Sequence, residues 1–302
     1  MKKVLITGSN GLLGQKLVDI LSKKEDIELI ATSHSSNKII GIDNFTFENL
    51  DITNKTEVNY IIDKYLPDTI INAAAMTQVD LCNEKRTECW DVNVNAVAHL
   101  AEKARQSNAF FLHVSSDFVF DGITGIYNES SIPNPVSYYG LSKYESEKIA
   151  LATTKNCAVV RTILVYGVLK SMTRSNIVLW VKNNLEAGKA IRVVNDQFRM
   201  PTLAEDLALG CIAIAEKKKT GIFHISGNEM MSIYEIAIKT AESFDLNKNL
   251  ITPVASIELN EKAKRPPKTG FDLHKAYTEL SYMPTKFTYG LNLLKAQLEG
   301  LE

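Results

Sequence analysis

The chain has 302 residues, 45% hydrophobic and 23% charged, an ordinary globular balance with length for one large domain or two unequal ones. Its formal net charge is −1 and its basic residues are scattered among acids, which excludes the continuous positive footprint that a nucleic-acid backbone requires. Cys82, Cys89, Cys157 and Cys211 form no C-x-x-C pair and the histidines are dispersed, so neither a disulfide framework nor a metal site is expected.

Met1-Lys2-Lys3 leads directly into the first strand-like run, Val4-Leu5-Ile6, with no apolar signal region before it. No apolar run approaches the ~18 residues of a membrane span. The expectation is a cytoplasmic protein that engages neither membrane nor nucleic acid.

Directly after that strand comes Thr7-Gly8-Ser9-Asn10-Gly11-Leu12-Leu13-Gly14, followed by a helical pattern at Leu13, Leu17, Ile20 and Leu21. Glycines between a first strand and a first helix let the backbone approach a pyrophosphate, and the helix N-terminus supplies free N–H groups. The spacing is G-x-x-G-x-x-G rather than G-x-G-x-x-G, so the position in the chain carries the reading more than the glycines do. A plain connecting turn is the alternative.

The second strand, Glu28 to Ala31, runs into Thr32-Ser33-His34-Ser35-Ser36-Asn37-Lys38. An acid about 20 residues past the glycines would bond the ribose 2'-hydroxyl of NAD, and none is present. Ser33, His34 and Lys38 suit a 2'-phosphate instead, so NADP(H) is expected; an ordinary polar loop is the other reading.

Val58, Ile61, Ile62 and Tyr65 repeat at helical spacing, and Thr69 to Ile71, Phe110 to Val114 and Ala158 to Val160 read as buried strands. Strand and helix in alternation predict an α/β fold: a doubly wound parallel sheet with helices on both faces and ligands beyond the carboxyl ends of the strands. The Phe110 strand ends there in Ser115-Ser116-Asp117.

Tyr139 and Lys143 stand four apart, on one helix face. Tyr60/Lys64, Tyr144/Lys148, Tyr166/Lys170 and Tyr282/Lys286 share that spacing, but Tyr139 alone opens a helix after the strand that ends in Ser116. Ketone reduction needs a hydride donor, a proton donor and a donor that fixes the carbonyl oxygen. Nicotinamide, Tyr139 and Ser116 fill these roles, and a lysine about 4 Å away would lower the phenol by up to ~3 pKa units.

Farther on, Ser175 to Ala187, Thr202 to Glu216 and Ser232 to Phe244 look helical and Gly221 to Ile225 strand-like. Residues 1–165 are expected to form the dinucleotide-binding domain, with 192–219 returning to it. Residues 166–191 and 220–302 are then a second, smaller α/β substrate domain. Arg161, Arg199 and Arg265 are candidates for phosphate contacts or for pairing with acids.

The glycine motif, Asn72-Ala73-Ala74-Ala75, Ser115-Ser116-Asp117, Tyr139 with Lys143, Arg161 to Gly167, Val194 to Thr202 and Arg265-Pro266 together resemble the extended short-chain dehydrogenase/reductases. Within them the likeness is to the dTDP-4-dehydrorhamnose reductases, over nearly the whole chain. The resemblance implies a Rossmann-type fold and a catalytic triad of Ser116, Tyr139 and Lys143, the last two also touching cofactor. It further implies cofactor contacts from Ser9 to Leu13, Asp51, Ile52 and Ala73 to Ala75, and a nucleotide-sugar substrate facing Thr77, Val79, Asp117, Gln197 and Arg265. A homodimer is a possible assembly. Asp51 also reads as a helix cap, Thr77 as a turn cap and Gln197 as a tie within its own loop.

Phe118 stands where the group commonly has tyrosine, Leu164 where it has tryptophan, and Lys16 where some members bind magnesium through glutamate, so no metal is carried over. Gly221 to Glu229 and Arg265-Pro266 also resemble the regulatory beta subunit of methionine adenosyltransferase. That keeps an NADP-binding regulatory subunit open, beside a nucleotide-sugar epimerase or dehydratase.

Overall fold

A computed structural model describes residues 2–170, 175–259 and 261–300. Met1, residues 171–174 and 301–302, and Asn260 lie outside the described residues, and with them small parts of the segments expected above to form the dinucleotide-binding domain and the smaller domain.

The centre is a parallel sheet of seven described strands, in the order Gly221–His224, Cys157–Thr162, Phe110–Ser116, Thr69–Asn72, Lys2–Thr7, Ile27–Ser33, Thr46–Asn49. This is the expected Rossmann-type order, with the strand direction of travel reversing between Lys2–Thr7 and Thr69–Asn72. Side chains alternate across a strand, and the two cores show it: Val4 and Ile6 join one hydrophobic cluster and Leu5 the other, as do Phe110 and Leu112 against Phe111. Helices Leu12–Leu21 and Ala204–Glu216 cover the first face. Lys55–Tyr65 and Ala96–Gln106 cover the second.

The helix Tyr138–Thr153 is placed by its cap and by a close approach. Ser137 caps it by accepting from Gly140 N–H at 3.1 Å. A Cβ at Gly140 would lie 2.1 Å from the Phe118 carbonyl oxygen, so only glycine lets this first turn lean on the turn after the Phe110 strand. Glu147 then anchors the helix to the sheet through a buried bidentate pair with Arg161, at 2.9 and 2.6 Å.

Beyond the sheet's carboxyl edge lies a four-stranded sheet, Met231–Ser232, Phe198–Arg199, Lys268–Phe271, Gly125–Tyr127, and a parallel pair of Ile191–Val194 with Ile251–Val254. Helices Ile177–Glu186, Ile233–Ser243 and Phe287–Glu299 pack beside these strands.

Two boundaries differ from the sequence expectation. Gly221–His224 pairs in parallel with Cys157–Thr162 and so completes the large sheet, although residues 220–302 were assigned to the smaller unit. Ile191–Val194 and Phe198–Arg199 pair within the small sheets, so the returning segment meets the large one mainly through the helix Ala204–Glu216 and Lys218, whose ammonium donates to Thr69 Oγ1. Hydrophobic runs mark both kinds of strand alike, and register with a distant partner decides which sheet each joins.

Candidate functional site

A cleft of about 1720 Å³ opens at the carboxyl ends of the central strands, between the two sheets. Its walls hold nearly every residue singled out by the sequence: Gly8, Asn10 to Gly14, Ser33, His34, Lys38, Asp51, Ile52, Ala73 to Ala75, Thr77, Val79, Ser116, Asp117, Tyr139, Lys143, Gln197 and Arg265. Ser9 is the exception. It is buried beneath the loop, where its N–H donates to Thr32 O at 3.0 Å and its hydroxyl has no partner.

The glycine arm is made by backbone. Gly8 is left-handed at φ +71°, and a Cβ on Gly14 would meet the Gly8 carbonyl oxygen at 2.3 Å, so the helix starts against the turn itself. That helix has no side-chain cap at Gly11 and no acid in its first turn, which leaves its N–H groups and positive end facing the cleft. Asn10 ties the arm to the loop after the second strand: its Nδ2 donates to Ser36 O at 2.9 Å, and Lys38 N–H donates to its Oδ1 at 3.0 Å. Ser33 and Lys38 are thereby held beside the glycine turn. This lining fits a dinucleotide carrying a 2'-phosphate.

Asp51 accepts from Thr53 N–H and Oγ1–H at 2.9 and 2.7 Å, so one of its oxygens serves the turn before the next helix, whose cap is Asn54. Its position on the cleft wall remains compatible with a cofactor contact.

At the other end of the cleft Tyr139 and Ser116 share one wall, near enough for the Ser116 hydroxyl to act on the phenol. Ser116 Oγ donates to Asp117 Oδ1 at 3.1 Å and accepts from Phe118 N–H at 3.3 Å. The Phe118 ring stands edge-on to Tyr139, centroids 5.4 Å apart. The phenol is not pulled toward neutrality as the helix spacing suggested: burial pushes it up, with the Ser116 bond opposing and the Asp117 charge adding to the rise. Tyr139 is therefore protonated at neutral pH, the state a proton donor needs.

Lys143 is buried, and desolvation lowers it to about 8. Its ammonium donates to Val114 O at 2.7 Å and lies 3.4 Å from His113 Nε2. A polar chain that the sequence reading missed fixes this neighbour. Thr7 Oγ1 donates to Asn72 Oδ1 at 2.6 Å, and Asn72 Nδ2 donates to His113 Nδ1 at 3.1 Å, which puts the ring proton on Nε2 for Ser146 Oγ at 2.9 Å. Ser146 passes its own proton to Lys143 O at 2.7 Å. Burial and the Lys143 charge keep His113 neutral. Asn93 was missed too. Lying in a π-helical turn, Asp91–Asn95, it brackets the Met76 backbone at 2.8 and 3.0 Å and donates to Ser142 Oγ at 3.1 Å. The sequence offers little to signal it, since Asn93 and Asn95 both precede the helix Ala96–Gln106.

The arm of the cleft toward the small sheets is closed by charge pairs. Arg265 reaches Asp80 at 2.7 Å and Glu261 at 3.3 Å, and Gln197 Nε2 donates to Glu261 at 3.0 Å, a partner outside its own loop. Of the three arginines weighed for phosphate, Arg161 is spent on Glu147 and Arg199 lies buried against Asp117, while Arg265 is only partly buried and lines the cleft. Thr77 is exposed on the cleft wall with Val79 beside it. Lys16 ends on Glu205 at 2.7 Å.

The RmlD substrate binding domain family matches residues 1–299. A dTDP-4-dehydrorhamnose reductase from Aggregatibacter actinomycetemcomitans is 34% identical over 99% of this chain and 100% of its own. Methionine adenosyltransferase 2 subunit beta from Bos taurus is 30% identical over 96% of this chain and 86% of its own. The structure of dTDP-4-dehydrorhamnose reductase from Bacillus anthracis in complex with NADP superposes with a TM-score of 0.85 at 27% identity, covering 98% of this chain and 100% of that one.

Proposed function

The chain belongs to the RmlD substrate binding domain family, and from that premise we propose that it is an NADP(H)-dependent reductase of the C4 ketone of a nucleotide-linked deoxysugar, namely dTDP-4-dehydro-L-rhamnose, which it converts to dTDP-L-rhamnose. One observation carries the reading: a protonated Tyr139 with Ser116 near it lines the same cleft as an uncapped helix N-terminus behind a glycine turn. The NADP-bound relative supports the cofactor, and the reductase matched end to end supports the substrate. NADPH supplies the hydride when bound.

Tyr139 donates its phenolic proton to the developing alkoxide, and Ser116 offers a hydrogen bond to the same oxygen. Lys143, fixed by Val114 O on the cleft wall, would hold the cofactor's ribose through its ammonium. Asp51, Ile52 and Ala73 to Ala75 line the cofactor's length, and Ser33, His34 and Lys38 receive the 2'-phosphate. Thr77, Val79, Gln197 and Arg265 flank the nucleotide-sugar, with Arg265 exchanging an acid partner for phosphate. No helix among the described residues is long and apolar enough to cross a membrane. Action in the cytoplasm is part of the proposal.

The test supplies NADPH with a panel of nucleotide-linked 4-keto sugars, follows loss of reduced-nicotinamide absorbance and identifies each product. Consumption of NADPH with dTDP-4-dehydro-L-rhamnose is the expected result. Turnover of a different 4-keto sugar would keep the reductase and discard the rhamnose assignment, a shift to which Phe118 and Leu164 on the cleft wall would contribute. Full-length likeness to the methionine adenosyltransferase subunit favours a second reading. NADPH binding without turnover of any ketone would select it.

A further inference from the structure

Asp117 lines the cleft, yet its carboxylate is committed inward. Oδ1 accepts the Ser116 hydroxyl at 3.1 Å. Oδ2 accepts the hydroxyl of Thr269 and lies 3.5 Å from Arg199 Nε. Thr269 and Arg199 are opposite each other in the parallel ladder of the small sheet, so that sheet presents a hydroxyl and a guanidinium side by side to one oxygen of the large sheet's strand end.

Arg199 has no freedom to do otherwise. It is buried, with Nη1 donating to Phe198 O and Nη2 to Pro266 O, each at 2.7 Å, and its guanidinium lies over the Phe118 ring at 5.8 Å. These ties leave Nε for Asp117. The register of the small sheet therefore sets the rotation of the Asp117 carboxylate, and that rotation sets where the Ser116 proton points.

We propose that Arg199 and Thr269 are positioning residues for the reduction, orienting the Ser116 donor through Asp117 and so coupling the substrate-side sheet to the proton-transfer site. The inference rests on the reductase reading above. With no ketone present, Ser116 rests its proton on Asp117 and accepts from Phe118 N–H. When a ketone oxygen arrives, Ser116 must turn its proton outward, toward the oxygen that Tyr139 protonates. An Asp117 whose charge is already met by Thr269 and Arg199 holds that proton less tightly, so the turn is easier.

Thr269→Val keeps the shape and removes the hydroxyl. The expected result is a fall in kcat of about tenfold with KM for the sugar within twofold of parental, since one hydrogen bond to a carboxylate, felt at the reacting oxygen only through Ser116, is at stake. The acid limb of kcat should also move to higher pH. Burial raises the Asp117 carboxyl, while Arg199, Thr269 and Ser116 lower it, so deleting one donor lets Asp117 protonate sooner. The other charged or titratable groups facing this cluster are Tyr139, on which the Asp117 charge acts, and Arg265 and Glu261, which act on Arg199. They are unchanged in the variant.

Thr269→Ser should restore both kcat and the limb, and Arg199→Lys should reproduce the Thr269→Val pattern. Parental kcat and an unmoved limb in Thr269→Val would overturn the inference, as would a change in KM alone. If the parental protein reduces no ketone, the functional reading falls by itself, and the crystal structure of Thr269→Val judges the network. A carboxylate turned away from Ser116 sustains it; one that has not moved refutes it.

Discussion

The two ends of the cleft are built in opposite ways. The glycine end is continuous chain: one strand, one turn and the start of one helix present backbone N–H groups, and its main requirement is that side chains be absent. At the substrate end, Asp80, Asp117, Gln197, Glu261, Arg265 and Thr269 come from segments up to 189 positions apart and meet through charge pairs and hydrogen bonds. The first end is a shape that a local sequence can specify. The second is a set of electrostatic matches that exists only once both sheets are in place, so it should tolerate change differently.

The largest effect should come from the point where the ends meet. Tyr139→Phe is expected to lower kcat by roughly 10²- to 10⁴-fold and leave NADPH affinity nearly unchanged, because proton donation is lost and ring packing is kept. Tyr144→Phe is the control, since Tyr144 packs against the core and lies under Lys148 instead of lining the cleft. Parental rates in both variants would remove Tyr139 from the mechanism.

Gly14→Ala tests the backbone end. Its Cβ would sit 2.3 Å from the Gly8 carbonyl, so the turn must open. Overpacking of this kind costs ~1–3 kcal/mol, and NADPH affinity should fall by about 10- to 100-fold, measured by nicotinamide fluorescence. An unchanged Kd would mean that the turn does not hold the pyrophosphate.

Arg265→Met tests the charged end. KM for the nucleotide-sugar should rise by roughly tenfold at an unchanged NADPH Kd, as expected for one charge-assisted contact. If Asp80→Asn instead lowers KM, the Asp80 pair competes with substrate for Arg265, which sharpens the contrast between a rigid cofactor arm and an exchangeable substrate arm.

The smallest effect is one of stability. Lys143 is lowered from 10.5 to about 8 by burial, which corresponds to ~3 kcal/mol of desolvation at neutral pH. Lys143→Met gives up the bond to Val114 O but removes that cost, so a net gain of ~1 kcal/mol and a Tm about 2 °C higher are expected beside lost activity. The sign with pH is definite. The lysine is charged in both folded and unfolded chains below pH 8 and neutral in both above 10.5, so the variant's advantage is full below pH 8 and fades as pH rises between those values. Thermal unfolding at pH 7 and pH 10 checks it; an advantage that grew with pH would show that the buried charge is not its source.

The chain's local patterns were enough to read the parallel α/β sheet, the glycine turn before Leu12–Leu21 and, among the five tyrosine and lysine pairs, Tyr139 and Lys143 as the pair that lines the cleft. Each of these is encoded within a few residues, by alternation on strands, by helical spacing, or by the polar residues at a strand's carboxyl end. Tertiary structure alone decided that Gly221–His224 closes the large sheet and that Ile191–Val194 pairs with Ile251–Val254, because strand partners across about 60 residues leave no trace in periodicity. It also reversed the expected direction of the Tyr139 phenol. Helix spacing brings a lysine near, but a proton affinity sums over everything that displaces water, and at Tyr139 burial outweighs any neighbour the sequence could name.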